Sequence, residues 1–542
     1  MIDFTKEQLA AIEPQGSLII TACPGSGKTA VMSEKIRNEL RTLKKHQGVI
    51  AITFTRKASK ELAERCKKNS EDIKSSYFGT IDSFCLSEVI HPFIKHVFDK
   101  LPEEMVPKYP SDLSQTEKIL VDQFIEDQNF TEGDNFDVLQ KLLLDGTLYF
   151  PAIANLANYI INNSPACSRF IKARYTSVYM DEYQDTSRDQ HSLFLSLEAV
   201  GLTSIAVGDL QQSIFGWRGS SPEYLKELIR NPKFKHRSIA RNHRCHPSIS
   251  NYANRLFNNE FILLETEDIR VWRCEMEGDQ REGALKLNKL IEALLAKWNK
   301  TQPSQIAVLA RSNATLKYLA EKLTIPRRIH TDNAIEDLGT RTAELWGQIL
   351  NYRYDPAYSV DEVLETLPDH GNLKKHQLLD RRSTIKKFRS MDDSLLEAGM
   401  VATSQKLLQL EVKPEEYAAL KKVILDKEQL QQYLPASNNE IQCMTLHKSK
   451  GLEFEIVLHL DLIEYVMNFP SIDPHTREKT YQSWEQDLNL HYVGITRAKN
   501  LCILIHTTQR IGKYDKIYDS TPSPFFDLPG LAGLYKSWRY NL

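Results

Sequence analysis

The octapeptide Ala22-Cys-Pro-Gly-Ser-Gly27-Lys28-Thr29 follows the apolar run Ser17-Leu-Ile-Ile-Thr21 and leads into the helix-forming stretch Thr29-Ala-Val-Met-Ser-Glu-Lys-Ile. A glycine-rich turn between a strand and a helix is the setting of a phosphate-binding loop. It commits this part of the chain to an α/β sheet whose site lies at the C-terminal edge of the strands. Gly25 and Gly27 let successive backbone N–H groups turn inward around a polyphosphate, with Ala22, Cys23, Pro24 and Ser26 completing the cradle at the positive end of a helix. Lys28 can then reach the β- and γ-phosphates, and Thr29 can offer its hydroxyl to Mg²⁺. A nucleoside triphosphate site is predicted.

Its partner is Ser177-Val-Tyr-Met-Asp181-Glu182-Tyr-Gln184-Asp185-Thr186, an apolar strand that carries two carboxylates out at its C-terminal end. Asp181 is placed to hold Mg²⁺, and Glu182 to orient and deprotonate the water that attacks the γ-phosphate. An acidic pair in this position can also cap a following helix. Behind a phosphate loop the catalytic reading takes precedence.

At 542 residues the chain has room for three or four domains. Its hydrophobic content of 41% and charged content of 26% are those of an ordinary soluble protein. The eight cysteines are scattered without a Cys-x-x-Cys pair, which argues for a reducing compartment and against a zinc ribbon or an iron–sulfur cluster. No signal core and no membrane-length apolar run is present, so a cytoplasmic protein without a membrane partner is expected. The formal net charge of −2 means that any nucleic acid must be bound by a focused groove rather than by overall attraction.

Strand-like runs and helices alternate from Ser17 to about Phe84, give way to helical patterns, and resume at Val178-Tyr-Met and Ser204-Ile-Ala-Val-Gly208. The same pattern returns at Ile269-Arg-Val-Trp, 305–310, 441–446, 455–459 and 501–505, around a second helix-rich stretch. Two parallel-sheet α/β domains, each interrupted by a helical insertion, are expected. The first sheet domain would take 1–84 and 170–255, its insertion 85–169, the second sheet domain 256–345 and 436–542, and its insertion 346–435.

Eight blocks, in order, resemble superfamily 1 DNA helicases of the UvrD/Rep/PcrA type. They are Phe4-Thr-Lys-Glu-Gln8; Ala51-Ile-Thr-Phe54-Thr55-Arg-Lys; Gly79-Thr80-Ile-Asp-Ser-Phe; Asp181-Glu-Tyr-Gln-Asp-Thr186; Val207-Gly-Asp-Leu-Gln-Gln212-Ser-Ile-Phe-Gly-Trp217; Asn242-His-Arg244; Met444-Thr-Leu-His447-Lys-Ser-Lys450-Gly-Leu-Glu453; and Tyr492-Val-Gly-Ile-Thr-Arg497. The resemblance implies two RecA-like P-loop NTPase domains, ATP (with other NTPs or dNTPs open) and Mg²⁺ as ligands, and DNA as partner, as single strands, ends or tailed duplex. It implies that Gln8 reads adenine, that Gln212 couples nucleotide state to DNA, and that Arg244 and Arg497 approach the γ-phosphate from opposite sides of a cleft. Guanidinium forks there stabilise charge on the transferring phosphoryl. Glu453 would receive the ribose hydroxyl. Phe54 and Trp217 would stack on bases, although an isolated aromatic is more simply a core residue. Thr55, Thr80, His447 and Lys450 would meet the DNA backbone.

Some positions depart from the family pattern. His243 stands where a tyrosine is usual, Arg56 where asparagine is, and Asp82 where histidine is, while Glu485-Gln-Asp-Leu-Asn lacks the arginine that normally opens the last block. Stretches such as Tyr183-Gln-Asp-Thr-Ser-Arg-Asp-Gln-His-Ser-Leu-Phe are similar to the helicase-like subunit of Gabija anti-phage systems, which works with an OLD-family nuclease. A DNA-stimulated ATPase of such a complex is the first reading. A free-standing 3′–5′ helicase and a nucleotide-gated scaffold with little turnover stay open.

Overall fold

A computed structural model describes the chain apart from residues 1, 2, 14, 15, 68–71, 127, 217, 218, 332, 368–373, 474, 541 and 542. Six strands form the first sheet: β1 (Leu18–Ala22), β2 (Gly48–Ile52), β3 (Tyr77–Gly79), β4 (Tyr175–Met180), β5 (Thr203–Gly208) and β6 (Lys235–Ile239). Their spatial order is β3-β2-β4-β5-β1-β6, with every pair parallel. The central strands are mostly buried because helices cover both faces. Ile19, Ile50 and Ile52 enter one core, while Leu18, Ile20, Val49 and Ala51 enter the other.

The second sheet comprises β7 (Val271–Met276), β8 (Ile306–Ala310), β9 (Arg327–His330), β10 (Ile441–Thr445), β11 (Phe454–His459), β12 (Ala498–Thr507) and β13 (Lys536–Tyr540). It is also wholly parallel, in the order β9-β10-β8-β11-β12-β7-β13. Two parallel sheets of RecA-like type are thus the architecture, in the expected α/β class. Of the strands in these two sheets, β6, β9 and β13 escaped the sequence reading. Each is an edge strand, where charged residues blunt unwanted pairing and erase the apolar run. In β6, Lys235-His-Arg-Ser-Ile239, only the last residue is buried.

The helical stretches differ from the expected boundaries. The 84/85 boundary falls inside a continuous helical run in which Ile81–Phe84 passes into a π-helical turn, Cys85–Ile90. Its Phe84, Val89 and Ile90 share one core with Leu139, Leu156 and the first sheet, so the first insertion extends that sheet's core. The second insertion has its own core around Trp346, Ile349, Phe388 and Leu420. The 345/346 boundary falls within the helix Arg341–Tyr354, whose Ala343 and Leu345 belong to that core. The helical unit therefore begins before it.

Candidate nucleotide and nucleic-acid site

The C-terminal ends of the neighbouring strands β1, β5 and β4 deliver three loops to one edge. After β1, Gly25 and Gly27 adopt left-handed φ values of 67° and 81°, and the helix Lys28–Leu40 begins directly behind them. A side chain would be strained at either glycine. A Cβ on Gly25 would lie 2.5 Å from Arg244 Cβ, and one on Gly27 would lie 2.9 Å from Gln8 Nε2. The loop is fastened from outside: His243 N donates to the Gly25 carbonyl at 3.0 Å and Cys23 N to that of Ile239 at 3.2 Å. Gln8 Nε2 donates to the Ser26 carbonyl at 2.9 Å, while its Oε1 accepts from Thr5 N at 2.8 Å and closes a helix cap. The amide expected to read adenine is, in this structure, a strut under the loop. Ser26 Oγ is buried without a hydrogen-bond partner beside this cradle. An orphaned hydroxyl, a helix N-terminus and Lys28 together fit a phosphate oxygen.

After β4, Glu182 takes a left-handed φ of 52°, uncommon for a side chain of its size. Its backbone N–H donates to Asp181 Oδ1 at 2.9 Å. Burial opposes the charge on Lys28, but Glu182, Asp209 and Asp181 more than offset it and hold the ammonium above its ordinary pKa. Burial and the neighbouring Glu182 push the Asp181 carboxyl up. Burial would raise Glu182 too, yet Lys28, Lys450, the Gln184 amide and Arg497 hold it low. One member of the pair is thus kept ionised as a base, and the other faces an uncompensated negative site that a cation relieves. Asp181 fits Mg²⁺ on that ground, and Thr29 stands in the first turn of the helix Lys28–Leu40.

A buried relay leaves Glu182. Gln184 Nε2 donates to Glu182 Oε2 at 2.5 Å, and Gln184 Oε1 accepts from Asp209 N, after β5, at 2.9 Å. Asp209 Oδ2 accepts from Gln212 Nε2 at 2.6 Å, and Gln212 Oε1 accepts from Arg497 of the second sheet domain at 3.4 Å. Lys450, after β10, donates to the Gln212 carbonyl at 2.7 Å and pairs with Asp185. Sequence reasoning singled out neither Gln184 nor Asp209. Their only signal is a polar residue following an apolar strand.

Arg497 is 1% exposed. Its guanidinium also donates to the Val493 and Leu452 carbonyls at 3.0 and 3.1 Å, and burial together with nearby Arg244 lowers its pKa to about 10. Arg244 pairs with Glu453 at 2.8 Å, and Glu453 also pairs with Lys499 at 2.7 Å. Glu453, expected at the ribose, therefore bridges the two sheet domains here.

Phe54, following β2, is half exposed and stacks on Phe215, with centroids 6.0 Å apart and planes 5° apart. Phe215 in turn meets His447 at 6.3 Å, and Lys450 Nζ stands 4.8 Å from its ring centroid. This row runs from the first sheet domain to the second. Trp217 lies outside the described residues; Phe215, two positions earlier, is the ring that stacks on Phe54, and the sequence reading passed over it. Thr55 and Thr80 cap helices, accepting from Ala58 N at 3.2 Å and Ser83 N at 3.4 Å. Among the described residues no helix is long and apolar enough to cross a membrane.

A phosphate loop, paired carboxylates and an arginine presented by a second parallel sheet define a two-sheet P-loop NTPase. Family comparison agrees: residues 4–139 and 104–233 match the UvrD/REP helicase N-terminal domain, and residues 362–509 the UvrD-like helicase C-terminal domain. The chain belongs to the UvrD/Rep helicase family, and it is an ATP-hydrolysing enzyme of that family. It is 27% identical to the Gabija protein GajB of Bacillus cereus (strain VD045), over 94% of this chain and 96% of that protein. It is 23% identical to the ATP-dependent DNA helicase PcrA of Staphylococcus aureus (strain Mu50 / ATCC 700699), over 96% of this chain and 85% of that helicase.

Proposed function

We propose that this chain is the helicase-like subunit of a Gabija-type anti-phage complex, a DNA-responsive ATPase of the cytoplasm that acts with an OLD-family nuclease subunit. The observation that carries the reading is the unbroken relay from Glu182 through Gln184, Asp209 and Gln212 to Arg497, with Lys450 joining it beside the aromatic row. The similarity to GajB along nearly the full length of both chains supports the anti-phage assignment.

In this reading Lys28 and the loop amides hold the β- and γ-phosphates, and Glu182 takes the proton of the attacking water. Thr29 and Asp181 would hold Mg²⁺, which supplies neutralisation of phosphate charge when bound. Arg497 and Arg244 meet charge developing on the γ-phosphoryl oxygens. Arg244 leaves Glu453 to do so, freeing that carboxylate for the ribose. A strand lying on Phe54, Phe215 and His447 would press on Lys450 and so on the relay.

ATP turnover measured with and without single-stranded DNA tests the reading, together with co-purification of the chain with an OLD-type nuclease encoded beside it. Stimulation by DNA plus a stable complex supports it. Stimulation without a complex favours the free-standing helicase, and negligible turnover favours the scaffold.

A further inference from the structure

Between Leu228 and Asn259 the chain holds seven arginines and lysines and no carboxylate, although its net charge is −2. The centre of this stretch is β6, Lys235-His-Arg-Ser-Ile239, the edge strand that borders β1. Its first four residues are exposed. Lys235 N donates to the Ser17 carbonyl at 3.0 Å, and the Ile239 carbonyl accepts from Cys23 N at 3.2 Å. Backbone direction alternates along a strand, so the peptide groups of His236 and Ser238 face away from the sheet. There the Arg237 guanidinium meets the His236 carbonyl at 3.0 Å. The next outward N–H, that of Ala240, donates to Glu7 Oε2 at 2.9 Å. A carboxylate thus already serves the end of this edge. Charge protects an edge strand from casual pairing, but toward a segment of opposite charge it becomes a means of selection.

Such a segment lies on the same chain. Glu260-Phe-Ile-Leu-Leu-Glu265-Thr-Glu267-Asp268 holds four carboxylates and no cation. It belongs to no helix or strand, and every residue from Ile262 to Asp268 is exposed, Ile262 by 87%. An exposed apolar run rimmed by charge marks an interaction surface. The run is held in place from behind. Asn251 Oδ1 accepts from Leu264 N at 2.8 Å, and Asn251 Nδ2 donates to the Leu264 carbonyl at 2.8 Å. Those are the two bonds that a neighbouring strand would make to one residue.

We propose that the acidic segment 260–268 of one copy docks along the cationic edge strand β6 of a second copy. Lys235 and Arg237 are two residues apart and share one face of their strand, and Glu265 and Glu267 have the same spacing. Two cross-strand ion pairs can therefore form together, while Ile262, Leu263 and Leu264 are removed from water. Reciprocal exchange closes a dimer, and a one-way contact extends the assembly. None of these residues belongs to the hydrolysis machinery, and the inference is independent of the proposed function.

The test is the mass of the full chain in solution, measured by light scattering at low salt over a range of concentration. Wild type should exceed the 62.4 kDa of one chain, and the excess should shrink as salt rises. Lys235→Glu with Arg237→Glu should be monomeric, and so should Glu265→Lys with Glu267→Lys, each with basal ATP turnover unchanged. Mixed together, the two variants should associate again, because every acidic surface then finds a basic one. Misfolding cannot produce that recovery. A wild type that stays monomeric, a variant that associates as wild type does, or a mixture that fails to recover overturns the proposal. A monomeric wild type whose Lys235→Glu, Arg237→Glu variant loses affinity for duplex DNA would overturn it too, and would assign the edge to nucleic acid.

Discussion

Lys28 stands among the carboxylates of Glu182, Asp209 and Asp181, and each neighbour predicts a distinct failure. Lys28→Ala should abolish hydrolysis and weaken nucleotide binding, since it removes the phosphate-binding charge and leaves buried carboxylates unpaired. Glu182→Gln should also abolish hydrolysis, but with binding of labelled ATP retained. Normal turnover by the glutamine variant would remove Glu182 from the water-activating role. Arg497 needs a gentler change than alanine, because its guanidinium holds the Val493 and Leu452 carbonyls, which truncation would strand. Arg497→Lys keeps the charge and loses the fork. It should cut turnover by about a hundredfold with nucleotide affinity nearly intact, as expected for a group that meets transition-state charge. An equal fall in affinity would place Arg497 in ground-state binding. At this scale the sequence pointed to Lys28, Glu182 and Arg497 but not to Asp209, because phosphate chemistry restricts the types of the groups that meet phosphate and not of those behind them. It hid Phe215 and Gln184, since an aromatic or an amide inside a motif announces no partner until the fold supplies one.

Among the elements, the phosphate loop and the small parallel ribbon of Val106–Lys108 and Thr147–Tyr149 make separate predictions. Gly25→Ala must place a Cβ at φ 67° and 2.5 Å from Arg244 Cβ. A cost of about 1–3 kcal/mol and loss of nucleotide binding should follow, read by thermal melting and by binding of labelled ATP. The ribbon is fixed by Glu117, which takes hydrogen bonds from Lys108 at 2.7 Å and Ser114 N at 2.7 Å, and a further one from Thr147. Burial alone would raise the pKa of Glu117, but Lys108, Thr147 and Ser114 hold it at about 2, below the ordinary 4.5. A depressed folded-state pKa contributes stability above pH 4.5 that is lost as the pH falls toward 2, by up to about 3 kcal/mol. Glu117→Gln should flatten that part of the acid-stability profile; an unchanged profile would show that the network contributes little. The interior strands were legible in the sequence, because two-sided burial imposes an apolar pattern. Edge strands β6, β9 and β13 were not, because exposure removes the very apolar residues by which a strand is recognised.

For the whole molecule, the proposed function asks how a strand on the aromatic row would reach the site of hydrolysis. Lys450 is the point where the two meet. Its ammonium stands 4.8 Å from the Phe215 ring centroid, pairs with Asp185 and donates to the Gln212 carbonyl, and it comes from the second sheet domain while the other three come from the first. It also helps to hold Glu182 ionised across the cleft. Those contacts close the interface between the two sheet domains on one side, and Arg244, Glu453 and Lys499 close it on the other. Lys450→Ala leaves the phosphate loop, Asp181 and the Arg244 pair untouched, so nucleotide affinity should hold. The ratio of DNA-stimulated to basal turnover should fall by roughly tenfold, the effect of losing about 1.4 kcal/mol of coupling. The slope of DNA affinity against salt should also become shallower, by about one counterion. Turnover at saturating and at zero single-stranded DNA, over a range of salt, separates the possibilities. If basal and stimulated rates drop by the same factor while the salt slope stays put, Lys450 supports Glu182 alone, and the signal from the strand must cross between the sheet domains by another route.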